Sequence, residues 1–374
     1  VIPYGCQSIS ADDIAAVDGV LESDFLTQGP AVPAFEKAVA GYCGAAHAVA
    51  VNSGSSGLHL ACRALDLGPG DSLWTSPVTF VASANCARHC GAGVDFVDID
   101  PGSWNLCPQR LAEKLERAAT ADKLPKAVVA VHFAGRPCDM AAIGELADHY
   151  GFAVIEDAAH ALGAEYLDTR IGDCSHSRMC VFSFHPVKLI TTGEGGMVTT
   201  QDARLARRLQ RLRSHGITRE TAELENSEQQ ELGHNYRMTD IQAALGNSQL
   251  HRLDEFLARR RALAQRYDRL LAGLELRGPE ATPGSAWHLY VIQLHPEQRR
   301  AVYDTLRAAD IGVNVHYIPL HLQPYYRRLG FHRGDFPLAE DYYSRALTLP
   351  LHPRLREDQQ DHIVDVLREA LQHA

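Results

Sequence analysis

Two short segments carry residue types and spacings suited to covalent chemistry on a bound cofactor. In SFHPVKLITTGEGG, Ser183–Gly196, Lys188 sits between apolar residues and a glycine-rich turn, and in FAVIEDAAH, Phe152–His160, an apolar run ends on Asp157. A lysine amine can hold an aldehyde cofactor covalently. A buried carboxylate against a pyridine nitrogen keeps such a ring protonated and able to accept an electron pair. Pyridoxal phosphate (PLP) needs both groups, so Lys188 reads as its catalytic anchor and Asp157 as its ring partner. Lysine is otherwise scarce: it occurs only at Lys37, Lys114, Lys123, Lys126 and Lys188 among 36 basic residues. A solvated surface position is the ordinary fate of a lysine, but the apolar neighbours FSF and VKLI argue against it here.

Further candidates gather around this pair. Asp157 closes a strand, which puts its carboxylate at the edge where open parallel sheets bind ligands; an acidic helix cap is the bland alternative. Glu156, one residue earlier, points to the other face by strand alternation. His160 flanks the cofactor or serves as a hydrogen-bonded structural histidine. The segment AVNSGSSGLHL runs from a strand into a Gly/Ser turn that opens a helix. Backbone N–H groups at Gly54, Ser55 and Ser56 are thereby offered to a phosphate without any basic side chain. Neither a Walker loop nor a Rossmann fingerprint is present. Ser183 can add a hydroxyl to the same phosphate, and Phe80 can stack on the pyridine ring, although a core phenylalanine is the commoner case.

These residues need a parallel sheet to bring them together. Apolar runs HAVAVN, SLWTSP, VDFVDID, AVVAVHFAG, FAVIED, MCVFSF and GGMVTT predict seven strands, with helical patterns between them. Alternation of this kind marks an α/β fold with a large, mostly parallel sheet. Helices are expected to end at Gly68, Gly151 and Gly216, where glycine suits a left-handed cap. A long helical pattern from Thr239 to Leu274 leads into a smaller α+β domain. Its strands are predicted at WHLYVIQL, IGVNVHYIPL and ALTLPL, after the turn-rich GPEATPGS, and a C-terminal helix DQQDHIVDVLREALQ closes it. The expected division is 1–250 for the large domain and 251–374 for the small one.

The composition excludes several classes. A net charge of −10 disfavours nucleic acid or an anionic membrane as partner. No charged leader with an apolar core, and no apolar run of membrane-spanning length, is visible. The nine cysteines form no CxxC pair and no metal-ligand spacing, so no metal is expected and reduced thiols in the cytoplasm are. A PLP-dependent desulfurase needs a mobile nucleophilic cysteine, whereas Cys138, Cys174 and Cys180 sit in or beside apolar runs. A regulator that keeps the fold without catalysis is a further alternative.

Taken in order, TQGP (Thr27–Pro30), NSGSSGLHL (Asn52–Leu60), TSPVTFVASAN (Thr75–Asn85), EDAAHALGA (Glu156–Ala164), FSFHPVKLITTGEGG (Phe182–Gly196), RSHG (Arg213–Gly216) and GHNYRMTDIQAALG (Gly233–Gly246) are similar to the DegT/DnrJ/EryC1/StrS sugar-nucleotide aminotransferases. The resemblance covers nearly the whole chain. It implies the fold type I, aspartate aminotransferase-like architecture, with Lys188 as the covalent anchor, Asp157 on the pyridine nitrogen and Phe80 stacked on the ring. It also implies Ser183 with Gly54, Ser55 and Ser56 on the phosphate, and Asn235 reaching the phosphate of the partner subunit in a homodimer. His185, Tyr317 and His321 fall on the substrate side. Replacement of the lysine by histidine marks the dehydratases of this family, and here the lysine is kept. SDFLTQGP, VHFAGRPCDM, VHYIPLHLQPYYRRLGF and GDFPLAEDYY further resemble the pseudaminic acid branch. That implies transfer of the amino group of L-glutamate to C4 of UDP-2-acetamido-2,6-dideoxy-β-L-arabino-hexos-4-ulose, a UDP-linked 4-keto sugar.

Overall fold

Residues 1–219, 227–280 and 282–373 are described by a computed structural model. One sheet holds β1 His47–Val51, β2 Ser72–Thr75, β3 Gly93–Phe96, β4 Ala127–Val131, β5 Ala153–Asp157, β6 Met179–Ser183 and β7 Gly196–Thr200, in the spatial order β1-β7-β6-β5-β4-β2-β3. Strand β7 is antiparallel to both neighbours and every other pair is parallel. All seven predicted strands are therefore in one sheet. Their near-continuous apolar sequence has a simple cause, since helices cover both faces. Val129, Ile155 and Val181 meet Leu58, Ala87 and Leu209 on one side, while Val128, Ala130 and Val154 meet Leu111 and Ile143 on the other. Each valine, leucine and isoleucine among them stabilises the fold by about 1.5–3 kcal/mol through burial.

Strand parity then decides where the carboxylates go. Asp157 shares its face with Ile155, on the side of the helix Gly54–Ala64. Glu156 faces the opposite layer, where Ser177 Oγ donates to Oε1 at 2.5 Å and His132 Nε2 lies 2.7 Å from Oε2.

Three helical expectations need correction. Gly151 does cap its helix in the left-handed conformation (φ 79°), but the helix aimed at Gly68 stops at Ala64 and the one aimed at Gly216 stops at Arg213. The long helical pattern is two helices, Asp240–Leu250 and Leu253–Leu270. Buried Asp13 draws Ser248 Oγ (2.7 Å), Gln249 Nε2 (2.7 Å) and Arg252 to itself at the break. Leu250 and Leu253 still enter the same core, so the apolar spacing runs through the break without revealing it.

The smaller C-terminal α+β part pairs β8 Tyr290–Gln293 with β9 Ala346–Leu349 antiparallel. The helix Glu357–His373 lays Ile363, Val364 and Leu367 against Tyr267, Ile292 and Leu349. Ala281, within the predicted turn GPEATPGS, and Ala374, at the end of the predicted small domain, lie outside the described residues. IGVNVHYIPL is not a strand. It makes isolated bridges to two different partners, Ile311 to Ile2 and Asn314 to Thr348, and then enters the cavity described below. No helix among the described residues is long and apolar enough to cross a membrane.

Candidate active site

A cavity of about 500 Å³ opens at the carboxyl edge of β5 and β6, between the sheet and the segment 314–317. Lys188, Asp157, His160, Phe80, Ser183, Gly54, Ser55, His185 and Tyr317 all line it. Sequence positions from 54 to 317 thus converge where an open α/β sheet holds its ligand.

One wall is a cradle that could hold a phosphate, built by close backbone approach. Ser53 caps the helix Gly54–Ala64, its Oγ accepting from Ser56 N–H at 3.1 Å. Gly54 and Ser55 N–H, at the first positions of the helix, have no intrahelical acceptor and stand at the positive end of its dipole. Strands β6 and β7 press against this turn. A Cβ on Gly54 would lie 2.9 Å from Ser183 Cβ, and one on Gly196 would lie 2.6 Å from the Ser53 carbonyl carbon and 2.7 Å from Gly54 N. Backbone cannot yield as a flexible side chain can, so Gly196→Ala should destabilise the fold by about 1–3 kcal/mol and weaken retention of PLP. Thermal melting with and without PLP checks this; an unchanged melting temperature and cofactor content would remove the cradle's dependence on Gly196.

The opposite wall carries the charges. Ser83 Oγ donates to Asp157 Oδ2 at 2.6 Å and Ala159 N–H to Oδ1 at 3.1 Å. With the Ser83 proton committed to the carboxylate, the 2.6 Å contact from Thr79 has Thr79 Oγ1 as donor. Burial pushes the Lys188 ammonium down to about 8, and the negative charge of Asp157 opposes that shift without cancelling it. At pH 7 about a tenth of this lysine is therefore the uncharged amine, the form that bonds an aldehyde, far more than at its ordinary pKa. Lys188 Nζ has no hydrogen-bond acceptor among the described residues. Burial, helped by the Lys188 charge, keeps His160 neutral far below the usual histidine range. Ala134 N–H donates to His160 Nδ1 at 3.3 Å, so the ring proton is on Nε2 and points at Tyr317 Oη, 3.3 Å away. The Tyr317 hydroxyl keeps its own proton for the cavity.

Some candidates sit elsewhere. Ser56 is turned inward, with its N–H on Ser53 and its Oγ donating to Asn52 Oδ1 at 2.6 Å, and it does not line the cavity. His321 is fully buried, 2.9 Å from Glu340 Oε1 and against Phe336, also away from the cavity; its place in the sequence beside Tyr317 misleads because a 3₁₀ turn, Leu320–Leu322, swings it inward. Asn235 is exposed, lies outside this chain's cavity and bridges Ser214. It is not the cap of the following helix either, because Thr239 and Gln242 form a capping box there. Phe80 is 56% exposed at the mouth, so it is no core phenylalanine.

Sequence reading missed Ser83, Thr79, Tyr4, His316 and His288. His288 packs 4.3 Å from His160, ring centre to ring centre, and His316 is held down to about 3 by burial and the Lys188 charge. Thr79, Ser83 and His316 lie inside segments quoted for the resemblance, but nothing in those segments singles them out; only the fold brings them near Lys188. The nine cysteines are all free and none lines the cavity.

The residues fit PLP: a partly deprotonated lysine, a buried oriented carboxylate and a helix start open to phosphate share one cavity. This fold and site define a PLP-dependent transferase of fold type I. The model of the DegT/DnrJ/EryC1/StrS aminotransferase family matches residues 7–368, and the chain belongs to that family. Its cofactor is PLP and it is a sugar aminotransferase. It is 40% identical to the spore coat polysaccharide biosynthesis protein SpsC of Bacillus subtilis (strain 168), over 100% of this chain and 98% of SpsC. Among solved structures, PseC of Helicobacter pylori, an aminotransferase involved in the biosynthesis of pseudoaminic acid, superposes with a TM-score of 0.93 at 30% identity, covering 100% of both chains. The PLP form of Spr1654 from Streptococcus pneumoniae gives 0.90 at 29% identity, over 100% of this chain and 99% of that one.

Proposed function

We propose that the protein moves the amino group of L-glutamate to C4 of UDP-2-acetamido-2,6-dideoxy-β-L-arabino-hexos-4-ulose, as a cytoplasmic step of pseudaminic acid biosynthesis. The end-to-end likeness to PseC carries this reading. When bound, PLP supplies the electron sink that lets a proton leave the amino-bearing carbon. Around it, Asp157 holds the proton on the ring nitrogen, and Ser83 and Ala159 fix the carboxylate that does so. Lys188 Nζ, once released from the cofactor, would carry a proton from the donor carbon to the cofactor in the first half of the cycle and from the cofactor to C4 of the sugar in the second. Tyr317, its oxygen held by His160, offers a hydroxyl proton to the sugar side, and His185 stands at the rim.

The higher identity to SpsC favours a second reading, in which the acceptor is another nucleotide-linked keto-deoxysugar destined for a surface polysaccharide. Incubation with L-glutamate and a panel of UDP-, dTDP- and GDP-4-keto-6-deoxy sugars, with NMR of the product, separates the two. The UDP-linked N-acetylhexosulose should be aminated at C4; preference for a dTDP or GDP sugar would select the second reading. A non-catalytic PLP-binding regulator would aminate none.

We also propose a homodimer with composite sites. Among the described residues no arginine lines the cavity, yet glutamate and a sugar diphosphate both bring anions, and Asn235 is exposed with no role in its own cavity. A two-fold contact gives each site the same pair of contributors. Mixing Lys188→Ala chains with Asn235→Asp chains should restore activity: random exchange leaves about a quarter of the sites with wild-type Lys188 from one chain and Asn235 from the other. Demonstrated exchange with no recovery would overturn the shared site.

A further inference from the structure

The Ala134 N–H decides which nitrogen of His160 carries the proton, and through it which way the Tyr317 hydroxyl points. With Nδ1 accepting from Ala134 at 3.3 Å, Nε2 donates to Tyr317 Oη at 3.3 Å and leaves the Tyr317 proton to the cavity. In the opposite tautomer Nε2 would accept that proton and turn it away. The selecting group sits in an unfavourable conformation. Ala134 belongs to the 3₁₀ turn Phe133–Gly135 after β4 and has φ 59°, the left-handed region that a residue with a Cβ avoids. Such a conformation persists only where the surroundings over-determine it.

Two segments hold it there. From the smaller part of the chain, His288 N–H donates to Ala134 O at 2.9 Å and Ala286 N–H to Gly135 O at 2.9 Å. From the loop after β3, Asn105 clamps both ends of the turn. Its Oδ1 accepts from Phe133 N–H at 2.9 Å, and its Nδ2 donates to Arg136 O and to Pro137 O at 3.0 Å each. Both amide protons and the carbonyl oxygen of this buried side chain are thus committed to a segment 28 to 32 residues further on. The backbone of Asn105 is fixed in turn, its carbonyl accepting from Asp100 N–H at 2.9 Å. The clamped turn is pressed so closely onto His160 that a Cβ on Gly135 would stand 2.9 Å from the His160 carbonyl oxygen. Asn105 itself does not line the cavity, so any effect it has on the chemistry passes through the turn.

We propose that Asn105 is a positioning residue of the active site: by clamping the turn Phe133–Gly135 it holds Ala134 N–H on His160 Nδ1 and so keeps the Tyr317 proton turned into the cavity. The kinetic consequence rests on the reading of Tyr317 as a proton donor to the sugar. The test uses the PLP-loaded enzyme with Asn105→Ala and Asn105→Asp; aspartate keeps the acceptor for Phe133 N–H but not the two amide donors. In protein labelled with ¹⁵N-histidine, NMR reads which ring nitrogen carries the proton, the His160 signals being assigned by their loss in His160→Asn. The wild type should show Nε2–H alone, and both Asn105 variants a substantial share of Nδ1–H. This measurement needs no acceptor, so it holds whichever sugar is aminated. In single turnovers followed by PLP absorbance, the half-reaction with L-glutamate should stay near wild type in the variants. The half-reaction with the keto sugar should slow by about 10- to 100-fold, part of what a positioned proton donor is worth. Adding Asn105→Asp to Tyr317→Phe should slow the sugar half-reaction no further, because the group through which Asn105 acts is already gone. An unchanged His160 tautomer in both Asn105 variants overturns the proposal, as do equal losses in the two half-reactions or a loss in the double variant that is the sum of the single ones. A changed tautomer with the sugar half-reaction at wild-type speed leaves Asn105 in this role and removes Tyr317 from the sugar side.

Discussion

Lys188→Ala should lose covalent attachment of PLP and with it turnover, by on the order of 10⁴-fold or more. The size follows from the double duty of one amine. In the proposed mechanism it anchors the cofactor and, once released, moves the proton, and among the described residues no other lysine lines the cavity. Burial lowers Lys188 to about 8, so the wild-type amine is available where the enzyme works. Lys188→Arg should be no better, because a guanidinium stays protonated and cannot form the bond. The measurement pairs the visible absorbance of bound PLP with steady-state transamination. Cofactor held by the cradle alone should be removable by dialysis from Lys188→Ala and not from the wild type. Sustained transamination by Lys188→Ala would move the proton transfer to another group, with Tyr317 the next to test.

What the sequence makes legible here is whatever a local pattern controls. Seven apolar runs specify seven buried strands, and two-residue alternation suffices to send Asp157 and Glu156 to opposite faces. The Gly/Ser turn is readable because a helix start has the same open N–H groups wherever it occurs. Long-range partners are not readable. The break at His251–Arg252 comes from Asp13, far away in the chain, and the irregular path of IGVNVHYIPL comes from Ile2 and Thr348. His321 looks like a neighbour of Tyr317 in sequence, yet Glu340 holds it elsewhere. Ser83 escapes notice for the same reason: a serine inside a helix announces nothing until the fold brings Asp157 to within 2.6 Å of it.

Asp157→Asn should keep part of the PLP but lose turnover by on the order of 10²- to 10⁴-fold. An amide can replace the carboxylate in shape but cannot hold a proton on the pyridine nitrogen. The pH dependence supplies a second signature. In the wild type, covalent capture of PLP should speed up as pH rises toward about 8 and then level off, because only the neutral Lys188 amine reacts and Asp157 raises its pKa against the larger effect of burial. Removing that negative charge leaves burial unopposed, so the inflection should move to lower pH in Asp157→Asn. Capture becomes easier at pH 7 while turnover collapses, a combination that loss of folding cannot produce. Glu156→Gln is the contrasting variant. Its carboxylate is buried on the far face against His132 and Ser177, so its loss should lower the melting temperature and leave turnover per folded molecule near wild type. Stopped-flow capture of PLP across pH 6 to 9, alongside steady-state rates, distinguishes the two carboxylates. Wild-type turnover in Asp157→Asn with a fall in Glu156→Gln would reverse their assignment and place the cofactor's ring partner on the wrong side of the sheet from Lys188, which β5 parity does not allow.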